Sequence, residues 1–364
     1  MRSRSHRMRL LDAAGHGLAA IAVFGVAMTV AAAALPETPE RGDPAARLPD
    51  SAVSSDIWEI VVRLDSGGWI FLQATVTNAG ISDLDAAVVG HVVDSEGTAH
   101  EFHKIRREGQ WRLSEDRRGI DLGSIALDLR QPTAQIRVDK SRVVLALEIE
   151  RAAEPAWSDA LTGSAYGFDL LAAGAPARGT LWLEGMGTPA SVRGHAALTH
   201  RWLGAYESSL IRRRTEFFAL DDRGALYYTE VTTANGETRR WLVAQKDGKT
   251  AHRSTEVTLE PSGSAGLAFA GGPLRIEAPG VSGRIDRPRV LLRDEPIARI
   301  PWLVRWFVSP RATSRSEWRA APFELTLHDA KGSDLTLSGT GVITVAQFGT
   351  DASAPRTPGT GEPE

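Results

Sequence analysis

An imidazole and an indole two residues apart, His200 and Trp202, lie in a segment, Gly194 to Gly204, that otherwise has the composition of a strand. Strand alternation sends both side chains to one face, where a titratable ring beside a flat apolar wall suits a binding or acid–base site. A second pair, Tyr228 and Glu230, sits two apart on a strand leading into the hairpin signal Asn235-Gly236. If the two faces meet, the chemistry they suit is proton transfer on a hydrophobic substrate. His200 or Glu230 would then be the acid–base group, Tyr228 a hydrogen-bond donor, and Trp202 an apolar or cation-stabilising wall. The same residues admit a packing role, with Trp202 a core plug, His200 a hydrogen-bonded core histidine and Glu230 in solvent. An aromatic run, Ile297 to Val308, adds Trp302 and Trp306 as ligand contacts. It reads as a short helix opening at Pro301 that covers a hydrophobic pocket, touches a membrane surface or plugs a barrel end.

Strands must position these residues. Trp58, Ile60, Val62 and Leu64 alternate, and Asp65-Ser66-Gly67-Gly68 turns the chain into a second strand, Trp69 to Thr77. Further strands are expected at Ala87 to Val93, Ala99 to Ile105, Ser124 to Leu129, Ala134 to Val138 and Ser141 to Glu150. In the last, Val143, Leu145, Leu147 and Ile149 mark one buried face. The small, helix-breaking run Ala172 to Gly179 reads as a domain boundary. After it, a meander runs through Thr215 to Leu220, Ala225 to Thr233 and Glu237 to Gln245, and Gly339 and Gly341 suggest a bulge in a closing strand. Short strands with Gly/Asp turns and scarcely any helical period predict an all-β protein of antiparallel barrels or sandwiches, with little helix.

A chain of 364 residues suggests two domains, placed at 56–173 and 174–349. Arg2, Arg4, Arg7 and Arg9 precede an apolar run ending in Ala31 to Ala34, which reads as a signal peptide over 1–34, or as an uncleaved anchor. The Pro-, Asp- and Glu-rich 35–55 reads as a linker and the Pro/Gly-rich 350–364 as a disordered tail. The expected location is outside the cytoplasm, periplasmic or secreted, with no cysteine available for lipidation or disulfides. A formal charge of -3 removes the main driving force for nucleic-acid binding. No phosphate-cradling loop, HExxH, cysteine cluster or Gly-x-Ser-x-Gly is present, so neither metal nor cofactor is expected. His100 and His103, three apart on a strand, point to opposite faces, and with His91 they read as surface histidines flanking a hairpin.

Gly194 to Trp202 resembles the Gly-x-x-Trp-x-Asp-His-Glu/Gln-Trp-Gly signature of the AttH and carotenoid 1,2-hydratase family, with Ala197, Thr199 and Arg201 replacing its first Trp, its Asp and its Glu/Gln. The resemblance, spanning Trp58 to Phe348, implies two lipocalin-like antiparallel β-barrel domains with a hydrophobic pocket near their junction. It implies a site at His200 and Trp202, with Tyr228 and Glu230 resembling the Tyr-x-Asp pair of the hydratases; Arg201, between the first two, is a further expected ligand contact. Three functions follow as expectations. The first is an exported protein binding a hydrophobic small molecule (lipid, isoprenoid or polyketide-like). The second is a hydratase, isomerase or cyclase using acid–base catalysis, and the third is an accessory subunit in contact with a membrane or an envelope exporter.

Overall fold

The computed structural model describes residues 42–48, 51–78, 84–130, 132–151, 156–161, 165–260, 273–294, 314–328 and 333–348. The signal segment, the run containing Trp302 and Trp306, and the tail lie outside the described residues. The first twelve strands are β1 (Ser55–Leu64), β2 (Trp69–Thr77), β3 (Asp85–Val93), β4 (Ala99–Arg106), β5 (Arg112–Leu113), β6 (Gly119–Asp121), β7 (Ile125–Asp128), β8 (Thr133–Lys140), β9 (Val143–Glu150), β10 (Trp157–Ala160), β11 (Tyr166–Leu183) and β12 (Ala190–Leu203). They form one antiparallel sheet in the order β4-β3-β2-β1-β12-β11-β9-β8-β7-β6-β5, with β10 on β11.

One helical turn, α1 (Glu207–Leu210), leads into β13 (Ile211–Leu220), β14 (Gly224–Thr233), β15 (Thr238–Lys246), β16 (Lys249–Ser254), β17 (Thr258–Glu260), β18 (Leu274–Ala278), β19 (Val281–Ile285), β20 (Arg289–Asp294), β21 (Ser314–Leu327) and β22 (Leu335–Phe348). Their order is β16-β15-β14-β13-β22-β21-β19-β18-β17, with β20 on β21. Each sheet curls over its own core, one around Trp58, Val62 and Leu147, the other around Phe217, Tyr228 and Leu325. The strands nearest the middle are apolar on both faces, so their outer faces pack together in a third cluster containing Ile57, Val61, Phe168, Phe218, Tyr227 and Trp241. Tyr227 anchors it, with Phe168 and Phe218 ring centroids 5.9 and 5.2 Å away.

Alternation places the β9 residues as expected, with Val143, Leu145, Leu147 and Ile149 buried. The boundary expected at 172–179 is different. It falls inside β11, and the chain passes from the first sheet to the second between Leu203 and Ile211. The small residues there shape a bend, not a linker. The β11–β12 register slips at Leu170/Ala172 and Ala172/Ala175, Gly174 takes a φ of 66°, and a Cβ on it would lie 2.7 Å from that of Ala225 in the second sheet. The expected bulge at Gly339 and Gly341 is absent: β21 and β22 pair without a slip, and Gly341 makes room for the Phe217 ring. Residues 42–48, expected to be tether, dock on the first barrel: Ala46 enters its core and its N–H donates to the Arg117 carbonyl at 2.9 Å.

Arg63 of β1 reaches across the barrel junction and donates to the Leu220 carbonyl at 2.7 Å. Arg63→Met keeps the stem and deletes this charge-assisted bond. It is expected to cost about 1.5–3 kcal/mol in urea denaturation, and a change below about 0.5 kcal/mol would show that this bond does not help to hold the two barrels together.

Candidate functional site

Between the two sheets lies a cavity of about 310 Å³ whose wall is chiefly apolar, with Val61, Phe71, Phe218 and Trp318 among its lining. A larger depression of about 1120 Å³ lies over β6 to β9, rimmed by exposed Arg112, Arg137, Arg178 and Arg193. None of its polar residues is buried, so the junction cavity has the better claim to recognise a ligand. Eight polar residues line it: Glu59 from β1, Gln73 and Thr75 from β2, His91 from β3, Arg214 from β13, Asp294 from β20, Ser316 from β21 and Thr344 from β22.

Glu59 and Arg214 belong to a buried ionic network. Arg201 Nη1 donates to Glu59 Oε2 at 2.6 Å, and Arg214 Nη2 donates to Glu59 Oε1 at 3.0 Å. Arg214 also donates through Nε to Glu216 at 3.0 Å and through Nη1 to Glu207 at 2.7 Å, while the Tyr227 hydroxyl donates to Glu216 Oε1 at 2.7 Å. Burial pushes the Glu59 carboxyl up, but the Arg201 and Arg214 guanidiniums outweigh it and hold the group down at about 2. Glu59 is therefore an anion at any physiological pH. Burial, with Glu216 beside it, drives the Tyr227 phenol well above its ordinary value, and burial raises Tyr166 to about 12, so both phenols stay protonated. Arg214 spends three of its five N–H groups on carboxylates, which leaves two donors on a side chain that lines the cavity.

The expected pair does share a face. His200 and Trp202 ring centroids are 5.6 Å apart, and His200 stacks on Trp58 at 4.8 Å with the planes only 3° from parallel. His200 Nε2 lies 2.8 Å from Asp56 Oδ1, and Nδ1 is buried without a hydrogen-bond partner. Arg47 lies over Trp202, its Cζ 3.7 Å from the ring centroid, and donates to Asp169 Oδ2 at 2.8 Å. Tyr228 and Glu230 also come together, at 3.2 Å, with Glu230 ion-paired to Arg213 and Arg240 at 2.9 and 2.8 Å.

The two pairs do not meet. His200 stacks within the core of the first barrel and Tyr228 lies in that of the second, with the interface cluster between. Alternation puts their neighbours Arg201 and Tyr227 on the outer faces, and these do converge, through Glu216. Neither His200 nor Trp202 lines the junction cavity. Arg201, expected at a ligand, is instead a buried member of the network behind it.

No protein-family model and no curated protein matches the sequence. Solved structures match over most of the chain. An AttH candidate from Nitrosomonas europaea superposes with a TM-score of 0.57 at 14% identity, covering 86% of this chain and 98% of that one. CghA with Sch210972 gives 0.53 at 13% identity, covering 88% and 98%, and kievitone hydratase from Nectria haematococca gives 0.52 at 9%, covering 87% and 95%. The fold is AttH-like.

Within this AttH-like fold of two lipocalin-like domains, the junction cavity draws on residues that strand alternation alone left unassigned. His91 was expected at the surface, yet it is buried, its ring 6.1 Å from that of Trp318. Glu59 sits between Ile57 and Val61 on what looks like a second apolar face of β1, and Arg214 and Glu216 precede Phe218 on one face of β13. An isolated charge within an apolar face is the available signal for such groups. Among the described residues no cluster suited to a metal ion occurs.

Proposed function

We propose that the chain is a hydratase- or cyclase-type enzyme that binds a hydrophobic small molecule between its barrels and moves a proton on it. One observation carries this reading: an apolar cavity with a permanently ionised Glu59–Arg214 pair in its wall. At about 310 Å³ the cavity falls at the lower end of the size range of small-molecule pockets. The two remaining Arg214 donors would stabilise negative charge developing on a carbonyl or enolate oxygen, and such preorganised donors act most strongly where water is excluded. Glu59, already ionised at neutral pH and so without a proton to donate, would orient a substrate hydroxyl or stabilise a developing cation. His91, on the first-barrel side of the cavity, would carry the proton. The names of two fold neighbours, kievitone hydratase and CghA with its bound Sch210972, support a small-molecule substrate of this kind.

The test is turnover of a panel of prenylated phenols, polyenes and polyketides, kievitone among them, followed by mass spectrometry for addition or loss of water or for an isomer. With a converted compound in hand, Arg214→Lys and His91→Gln are each expected to lower kcat by about 10²-fold or more. A compound that binds stoichiometrically, is displaced by filling the cavity with Val61→Trp, and is returned unchanged would replace the enzyme reading with that of a carrier.

A further inference from the structure

The first barrel holds a polar box that the junction cavity does not use. Its walls are the Trp58 and Trp202 indoles, and its polar groups are His200 and two fully buried carboxylates, Asp56 and Asp169. Gly167 leaves space for the Trp202 ring, since a Cβ there would lie 2.2 Å from it. Buried carboxylates beside aromatic faces are the chemistry that recognises an organic cation. The cation in place is the chain's own Arg47.

Residues 42–48 are held in the manner of a bound peptide. The Trp58 indole donates to the Pro44 carbonyl at 2.9 Å, and Asp56 accepts the backbone N–H groups of Arg47 and Leu48 at 3.0 and 2.8 Å. Asp43 pairs with Arg118 at 2.6 Å. Yet the fit of Arg47 is incomplete. It meets Asp169 through a single oxygen, while Asp169 Oδ1 and Arg47 Nε are both buried without a hydrogen-bond partner. Burial lowers the Arg47 pKa in spite of three neighbouring carboxylates. Leu48, gripped by Asp56, has a φ of 40°, in the left-handed region that disfavours a leucine. A free alkylguanidinium, unconstrained by a backbone, can present two parallel N–H groups to Asp169 while stacking on Trp202, whereas the tethered Arg47 stacks on Trp202 but meets only one Asp169 oxygen.

We infer that the His200–Trp202 end of the first barrel is an alkylguanidinium site occupied in cis by Arg47, and that residues 42–48 are a strap released when a free cation takes its place. The inference is independent of the junction cavity being catalytic. Methylguanidinium is the probe, used at millimolar concentration on the full chain against matched sodium chloride. Hydrogen exchange at the Arg47 and Leu48 amides is expected to rise about tenfold and saturably, with the β9 amides unchanged. Arg47→Ala removes the internal competitor and is expected to bind one methylguanidinium at least about tenfold more tightly than the parent chain, and Asp169→Asn on that background is expected to abolish binding. A folded Arg47→Ala variant with no saturable binding overturns the site, as does binding indifferent to Asp169→Asn. Should Arg47→Ala not fold, the exchange measurement on the parent chain decides: unaltered protection at both amides refutes the strap.

Discussion

Glu59→Gln is expected to destabilise the protein by about 3–5 kcal/mol at neutral pH, since it removes one charge from a buried network and leaves two guanidiniums short of compensation. Arg201 is 1% exposed and already has Nε and Nη2 without partners, so loss of the Glu59 charge leaves it Glu216 Oε1 as its nearest anion, at 4.0 Å. The pH dependence gives a second handle. The folded-state pKa of Glu59, about 2, lies below the ordinary 4.5, so its contribution is complete above about pH 4.5 and is lost as pH falls towards 2. The shift corresponds to about 3 kcal/mol, in line with the neutral-pH loss. Urea denaturation of parent and variant from pH 7 to pH 2 measures both, and the two stability curves should converge at the acid end. Parallel curves would mean that Glu59 holds no such depressed pKa and that the network is not what secures the junction.

The acid side of that network was hard to read in the chain, and the reason is physical. A strand with one wet face announces its buried residues by alternation, as β9 does with Val143, Leu145, Leu147 and Ile149. β1 is covered on both faces, so its period-two signal is diluted, and Glu59 stands between Ile57 and Val61 as a charge easily taken for a solvent contact. The shared face of His200 and Trp202, and that of Tyr228 and Glu230, followed from spacing alone. Whether two such faces converge depends on which sheet each strand joins. The Ala172 to Gly179 run, read as a boundary, put β11 and β12 with the wrong partners and so brought His200 towards Tyr228.

Arg47 was out of reach for a different reason. It lies in a Pro- and Asp-containing stretch without apolar period, and that stretch is held by the N–H groups of Arg47 and Leu48, the Pro44 carbonyl and the Arg47 guanidinium, none of which leaves a pattern in sequence. Asp56, 144 positions from its partner His200, shows the same limit. Their meeting depends on the β1–β12 register, in which Trp58 faces His200 and Asp56 faces Trp202, and that register is a product of the whole core.

The register of the next strand pair sets the other large effect. Gly167 of β11 is the cross-strand partner of Trp202, and its missing side chain is the space in which the indole lies: a Cβ would fall 2.2 Å from both Cε2 and Cζ2. Gly167→Val therefore overpacks a site where the ring cannot retreat freely, because Arg47 covers its face and His200 stands 5.6 Å away. The expected loss is about 3 kcal/mol, at the upper end for overpacking, with a changed near-ultraviolet dichroism as the indole leaves its position. Steric origin has a distinct signature. Trp202→Phe shortens the ring on the side facing β11, so the double variant Gly167→Val/Trp202→Phe should be less destabilised than the sum of the two single changes, by about 1 kcal/mol or more. Additive losses would show that valine acts through the strand backbone and that Gly167 is not what seats Trp202 against Arg47.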